Sequence, residues 1–319
     1  MTPSDDSARP FGSRNLFGSS QELLFGGLPT FMRRHYSREL SDVDIAVVGV
    51  PCDLATSFRP GARFGPSAIR KASIDMAWWD KQFFWDFNPF NRLAIVAYGD
   101  VQYEYGNPAD MVEKTQSQVA EILKHGSEVL CLGGDHFISL PVIRAHADVH
   151  GPLSLVHFDA HTDTDSHGNT YDHGSMFYHA VEEGIVDPER SVQIGIRTEY
   201  DKNTDRFVVL SAPWVHDHGI VATIEEIRRV VAHNKAYLTF DIDCLDPAFA
   251  PGTGTPVVGG LSSAQALAII RGLTEINFIA MDVVEVAPAY DTSSITAFAA
   301  AQLTLEYLCL KAFSRTDVV

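Results

Sequence analysis

Apolar residues along this chain fall into two alternating patterns. Short uninterrupted apolar runs read as buried strands, and segments with apolar residues at three- and four-residue intervals read as helices. The pattern predicts strands over Ile45–Val50, Leu93–Tyr98, Glu128–Leu132, Leu153–Phe158, Ser191–Ile196, Phe207–Leu210, Ala236–Phe240 and Phe278–Val284. Between them it predicts helices over Pro66–Met76, Ala109–Lys124, a stretch after Ser139, Met176–Glu183, Ile224–Val231, Ser263–Leu273 and Ser294–Ala312. This regular alternation implies an α/β fold with a mostly parallel central sheet and helices on both faces. No repeat period and no linker-like stretch divides it. A single domain over residues 42–319 is expected, after an N-terminal arm, residues 1–41, containing Gly, Ser and Arg.

Polar residues interrupt this pattern at one kind of place. Asp159, His161 and Asp163 in HFDAHTD, and Asp241 and Asp243 in FDID, recur at every second residue just beyond predicted strands. In extended backbone alternate side chains point the same way, so each run aims carboxylate and imidazole groups at one spot. Gly133-Gly134-Asp135-His136 follows another strand, and Glu285 another. All four clusters therefore sit at the carboxyl edge of the sheet, where open parallel sheets bind ligands. The Gly- and Pro-rich loop from Cys244 to Gly260 is too long to be a plain connection and is expected to wall the site.

Composition narrows the partners. The chain has 319 residues, 45% of them apolar, enough for a sizeable core. Its 24 basic and 41 acidic side chains give a net charge of −17, which argues against nucleic acid and anionic membranes. No apolar run is long enough to span a bilayer and residues 1–41 lack a signal-type apolar core, so a cytoplasmic location is the expectation. The four cysteines, Cys52, Cys131, Cys244 and Cys309, have no paired spacing and read as buried thiols.

Converging aspartates need positive charge, and neither run contains a Lys or Arg. Together with His136, the two runs offer more donors than one catalytic ion with an open position accepts. They suit two divalent cations about 3.5–4 Å apart. This oxygen-rich set fits manganese best by ligand softness, with nickel, cobalt, zinc or magnesium as alternatives. His157 shares the side-chain phase of Asp159 but lies inside the strand, and reads as a hydrogen-bonded core histidine. Asp135 and Asp246 read as residues that orient ligands or loop backbone. The aromatic group from Trp78 to Phe90 reads as packing under a loop or at a subunit interface.

The segments GGDH, HFDAHTDT, DHGSMF, TFDIDCLDPAFAPGTGTPVVGGLS and MDVVEVAPAYD, with RPGARFGPSAIR upstream, resemble the ureohydrolases, the arginase and agmatinase family, in order and spacing. The match runs from about Asp44 to the last helix, and its wording is most similar to the bacterial agmatinase branch. The resemblance implies a three-layer α/β/α sandwich and a homo-oligomer, trimer or hexamer, with the arm free to pack on a neighbour. It implies that His136 and Asp163 complete one manganese site, His161 and Asp243 the other, and that Asp159 and Asp241 bridge both. It makes His173 the proton-shuttling histidine and Glu285 the carboxylate that holds a guanidinium, with the Thr255 hydroxyl close by.

The implied reaction is cleavage of agmatine, a small cationic guanidino substrate, to putrescine and urea by a metal-bridging hydroxide. A planar, resonance-stabilised guanidinium resists neutral water, so a hydroxide held close supplies nucleophilicity and proximity together. The leaving amine needs a proton, the task expected of His173. The loop TDSHGNTYDH, residues 164–173, is acidic and holds no Arg or Lys, which favours a substrate ending in an amine. Asp165 is read as an amine contact, against the alternative of a solvated loop carboxylate. Guanidinobutyrate and guanidinopropionate hydrolases share these motifs and are the competing readings, with Arg59 or Arg63 as the cation they would need. A non-catalytic metal-binding subunit is the reading from another class.

Overall fold

A computed structural model describes residues 16, 23–79, 81–202 and 205–318. Eight strands form one sheet, β1 (Ile45–Val50), β2 (Ile95–Asp100), β3 (Glu128–Gly133), β4 (Ser154–Phe158), β5 (Val192–Ile194), β6 (Val208–Leu210), β7 (Lys235–Asp241) and β8 (Asn277–Val284). The sheet order is β2-β1-β3-β8-β7-β4-β5-β6, and every pairing is parallel. Buried on both faces, these strands carry the near-continuous apolar runs visible in the sequence.

Among the described residues, seven α-helices cover the sheet: α1 (Gly65–Ala72), α2 (Pro108–Lys124), α3 (Ser139–His150), α4 (Met176–Glu182), α5 (Ala212–Val231), α6 (Ser263–Arg271) and α7 (Ile295–Ala312). Alternation along β1 assigns the layers. Ile45 and Val47 share a core with residues of α1, α5, α6 and α7, whereas Ala46 and Val48 share one with residues of α2, α3 and α4. The result is the three-layer α/β/α sandwich expected for the family.

The register positions the chemistry. Strands β3, β8, β7 and β4 are consecutive neighbours, and each ends at one of the polar clusters. Pairing of Phe158 with Phe240 brings Asp159 and Asp241 to the same level, and pairing of Asp241 with Val284 places Glu285 one residue beyond. The Glu285 N–H donates to Gly134 O at 2.8 Å. Gly134 itself tolerates no side chain, since a Cβ there would stand 1.8 Å from Cys52 O.

Several elements differ from the sequence expectation. The helix predicted over 66–76 stops at Ala72, followed by a 3-10 turn over Asp75–Trp78. Helix α5 begins at Ala212 rather than Ile224, because Ser211 caps it by accepting from Trp214 N and Pro213 sits in its first turn. Gly219, at φ +81°, breaks the helical geometry midway and masks the periodicity. The aromatic group divides: Phe87 and Phe90 are buried, whereas Trp78, Trp79, Phe83 and Phe84 are exposed. All four cysteines are buried and free. Of the N-terminal arm, residues 1–15 and 17–22 lie outside the described residues; Phe31 and Met32 are fully buried, and Met32 N donates to Ser73 Oγ. Among the described residues, no helix is long and apolar enough to cross a membrane.

Candidate metal centre and active-site cavity

The two alternating runs converge, and Asp159 stands between them. Its Oδ2 lies 3.0 Å from His136 Nδ1, and its Oδ1 lies 3.3 Å from His161 Nδ1. Around His136 Nδ1 also stand Asp163 Oδ2 at 2.9 Å and Asp241 Oδ2 at 3.3 Å; Asp243 Oδ2 lies 3.2 Å from His161 Nδ1. The donor atoms fall into two groups that share Asp159, one with His136, His157 and Asp163, the other with His161 and Asp243. All six side chains anticipated as ligands are brought together, each at least mostly buried except His161, which is part-exposed.

Whether cations fit can be tested on His136. Its Nε2 lies 2.8 Å from Thr239 Oγ1, and Thr239 Oγ1 donates to Asp282 Oδ1 at 2.6 Å. A carboxylate only accepts, so the single Thr239 proton is committed and the threonine oxygen must accept Nε2–H. That leaves Nδ1 as the lone-pair nitrogen. Nδ1 is buried, surrounded by three carboxylate oxygens, and makes no aligned hydrogen bond to any of them. Four lone-pair atoms facing one point repel each other unless a cation lies between them, so the donor set fits a metal.

The ionisation of the cluster carries the same signature. Burial opposes the charged form of Asp163, Asp241 and Asp243, and neighbouring carboxylates add to it, so all three carboxyls are pushed up, Asp241 well above the ordinary range. Burial would lower His161, but Asp243 and Asp159 outweigh it and push the imidazole up to about 12. Asp159 is also buried, yet His157 beside it leads the interactions that outweigh burial and hold it well below the usual carboxylate range. The site is short of positive charge.

His157 belongs to the same neighbourhood without being free to ligate. The Gln193 amide nitrogen donates to Thr162 O at 2.7 Å and lies 3.2 Å from His157 Nδ1, which places the ring proton on Nε2, 2.8 Å from Asp159 Oδ2. His157 is thus a hydrogen-bonded core histidine that orients Asp159. Asp135 accepts Ala55 N–H at 2.9 Å, and Asp246 accepts from Ala248, Gly259 and Gly260; both hold loop backbone. Arg197 completes the loop wall by donating to the carbonyls of Asp243, Cys244 and Val257.

Glu285 and His173 meet beside the cluster. Glu285 occupies left-handed backbone at φ +63°, unfavourable for a residue with a side chain. Its Oε1 accepts His136 N–H at 2.9 Å and lies 2.8 Å from His173 Nδ1, whereas Oε2 is buried without a partner among the described residues. On the other ring edge, Ser57 N donates to His173 Nε2 at 2.9 Å and Ser57 Oγ lies 2.6 Å away. Burial would lower His173, but Glu285, with Asp163 and Asp135 beyond it, lifts the imidazole to about 9. The Ser57 amide proton opposes that lift, because it can be accepted only by an unprotonated Nε2. The geometry shown is therefore that of the neutral ring with its proton on Nδ1.

These groups open onto a cavity of about 410 Å³ lined by carboxylates, hydroxyls and His161, His167 and His173. Thr255 lines it too, but its hydroxyl donates to Asp243 Oδ2 at 3.2 Å rather than meeting Glu285. Asp165 is exposed at the mouth, where its carboxylate accepts His167 N–H at 2.8 Å. Arg59 and Arg63 are engaged elsewhere. Arg59 donates to the carbonyls of Gly254 and Thr253, and Arg63 pairs with Asp53.

Sequence reasoning missed Ser57, Thr239, Asp282 and Arg197. Thr239 carried a readable signal, being two residues before Asp241 in the same side-chain phase. Asp282 carried another, a carboxylate inside an otherwise apolar strand.

With this geometry in place, comparison with known proteins decides the family. A sequence model of the arginase family matches residues 43–309. The chain belongs to the arginase family. An agmatinase of Chromobacterium violaceum is 51% identical over 300 residues, covering 93% of this chain and 92% of its own. The structure of a hypothetical agmatinase from Burkholderia thailandensis superposes with a TM-score of 0.91 at 52% identity, covering 96% of each chain. Proclavaminate amidino hydrolase from Streptomyces clavuligerus follows at TM-score 0.86 and 36% identity, covering 92% of this chain and all of its own. This arginase-family chain is an agmatinase-like ureohydrolase, and the His/Asp cluster at its strand ends is its candidate metal site.

Proposed function

We propose that this protein hydrolyses agmatine to putrescine and urea with two manganese ions held by His136, Asp159, His161, Asp163, Asp241 and Asp243. The observation that carries the reading is the charge of the cavity. Beyond the ligand aspartates, Asp165, Asp172, Glu199 and Asp201 line it, and none of its described lining residues is Lys or Arg. Agmatine is cationic at both ends. Guanidinobutyrate and guanidinopropionate end in a carboxylate, which such a wall repels, and the two arginines able to compensate are tied to Gly254, Thr253 and Asp53. The agmatinase names of the relatives agree with this choice.

Bound cations would supply hydroxide at neutral pH by lowering the pKa of water. The side chains do the rest. The unpartnered Oε2 of Glu285 accepts a guanidinium N–H in a charge-assisted bond, which turns the substrate's plane toward the cluster. Glu285 Oε1 meanwhile keeps the His173 ring in place. His173 gives the departing amine its proton, a contribution typically worth about 10²–10⁴-fold. Asp165 is the candidate contact for the far ammonium.

Urea release with added manganese tests the reading on agmatine, arginine, guanidinobutyrate and guanidinopropionate side by side. Agmatine should lead in kcat/KM by at least about 100-fold, since a misplaced like charge costs several kcal/mol. A preference for a carboxylate-bearing substrate would overturn the assignment. Absence of urea from all four would favour the non-catalytic, metal-binding reading.

A further inference from the structure

The two contacts of Ser57 with His173 raise a question of access. A histidine that delivers protons needs a ring nitrogen facing the substrate, and here both are engaged. Nδ1 is covered by Glu285 Oε1 at 2.8 Å, and that oxygen also holds His136 N–H. Nε2 is covered by the amide and hydroxyl of Ser57, at 2.9 and 2.6 Å. The ring is nearly buried, whereas Ser57 is exposed and lines the cavity.

The contact is held from several sides. His173 N donates to Ala55 O at 3.3 Å, and Ala55 N donates to the buried Asp135 carboxylate at 2.9 Å. Two backbone tethers therefore fix the 55–57 segment against the ring. The hydroxyl is the only part of this contact that can pass a proton on, because the amide N–H cannot exchange roles between donor and acceptor.

We propose that Ser57 is the proton port of His173, a catalytic residue through whose hydroxyl protons reach and leave Nε2. When Nε2 is protonated the Ser57 amide loses its acceptor and Ser57 Oγ is the contact that accepts. In the delivering direction the Nε2 proton passes to Ser57 Oγ while the hydroxyl's own proton passes to the departing amine nitrogen. The imidazole ends neutral, the serine is again a hydroxyl, and the C–N bond pair stays with the protonated amine. In the reverse direction Ser57 accepts a proton from solvent in the cavity and gives its own to Nε2. The water consumed in hydrolysis supplies the proton, so no further reactant is needed.

This inference rests on His173 acting as the proton donor, and its test separates the two. Manganese-loaded Ser57→Val, Ser57→Ala, Ser57→Thr and His173→Asn are compared with the parent for kcat, KM, solvent deuterium isotope effect, manganese content and melting temperature. Ser57→Val should lose at least about 100-fold in kcat with KM and manganese content near the parent's, as expected when a proton path is cut. Its solvent isotope effect should rise as proton transfer becomes limiting. Ser57→Thr should restore turnover, and Ser57→Ala should fall between, since a water can stand in for the hydroxyl. Full turnover by Ser57→Val while His173→Asn is inactive would overturn the port and leave the histidine's role intact. Full turnover by His173→Asn would overturn the reading beneath it. Should valine disturb the loop, seen as a lowered melting temperature, alanine against threonine decides, and equal turnover of those two overturns the proposal.

Discussion

Glu285 Oε1 lies 2.8 Å from His173 Nδ1, so one carboxylate both steadies the imidazole and leaves its second oxygen, Oε2, buried and unpartnered among the described residues. An orphaned buried carboxylate oxygen on a residue with strained backbone is costly to maintain, and such strain concentrates at functional sites. Glu285→Gln keeps the size and an acceptor but removes the charge. It should lower kcat/KM for agmatine by about 10- to 150-fold, the equivalent of a charge-assisted hydrogen bond of about 1.5–3 kcal/mol. Manganese content should be unchanged. Steady-state kinetics beside elemental analysis checks this, and parental kcat/KM in the Gln variant would contradict the assignment.

Thr239 acts at a distance from any substrate. It accepts Nε2–H from His136 and donates to Asp282, which also accepts from Ser139 and Tyr237 at 2.6 Å each. This chain of hydroxyls fixes the histidine tautomer that leaves Nδ1 bare. Thr239→Val should weaken manganese binding on the His136 side by about 10–100-fold, the usual effect of losing a ligand's hydrogen-bond partner, and Thr239→Ser should restore it. Calorimetric titration of the metal-free protein with manganese reads this directly. Unaltered affinities in a folded Val variant would show that the tautomer is fixed some other way.

Much of this was legible in the chain because the chemistry lies on extended backbone. Asp159, His161 and Asp163 stand out as polar residues at period two after an apolar run, and the parallel register then brings β4 and β7 level. Helix α5 was half hidden, since Gly219 interrupts its periodicity and the stop-like glycine outweighs the start signal at Ser211 and Pro213. Ser57 was not legible at all. It lies in an irregular segment between β1 and α1, far in sequence from His173, and a hydroxyl there has no local pattern to mark it.

His146 predicts an acid sensitivity separate from the metal site. Its imidazole is fully buried on α3, Nδ1 is bonded to Val142 O, Nε2 has no partner among the described residues, and burial lowers its pKa to about 4 against an ordinary 6.5. Between those values the unfolded chain binds the proton and the folded chain does not. The folded state therefore loses stability as pH falls from about 6.5 toward 4, by about 2 kcal/mol at pH 5, and is unaffected above pH 7. His146→Leu removes the titrating group. Its unfolding midpoint in urea should fall less than the parent's between pH 7 and pH 5, and equal losses would refute the role of this ring.

Asp159 is placed to serve two cations at once, through Oδ2 on the His136 side and Oδ1 on the His161 side. Equilibrium dialysis against manganese followed by elemental analysis tests it most directly, on the parent, Asp159→Ala and Asp163→Ala. The parent should hold two ions per chain, Asp163→Ala should retain one, and Asp159→Ala should hold neither tightly. A single ion in the parent, or two ions undiminished by loss of Asp159, would contradict it.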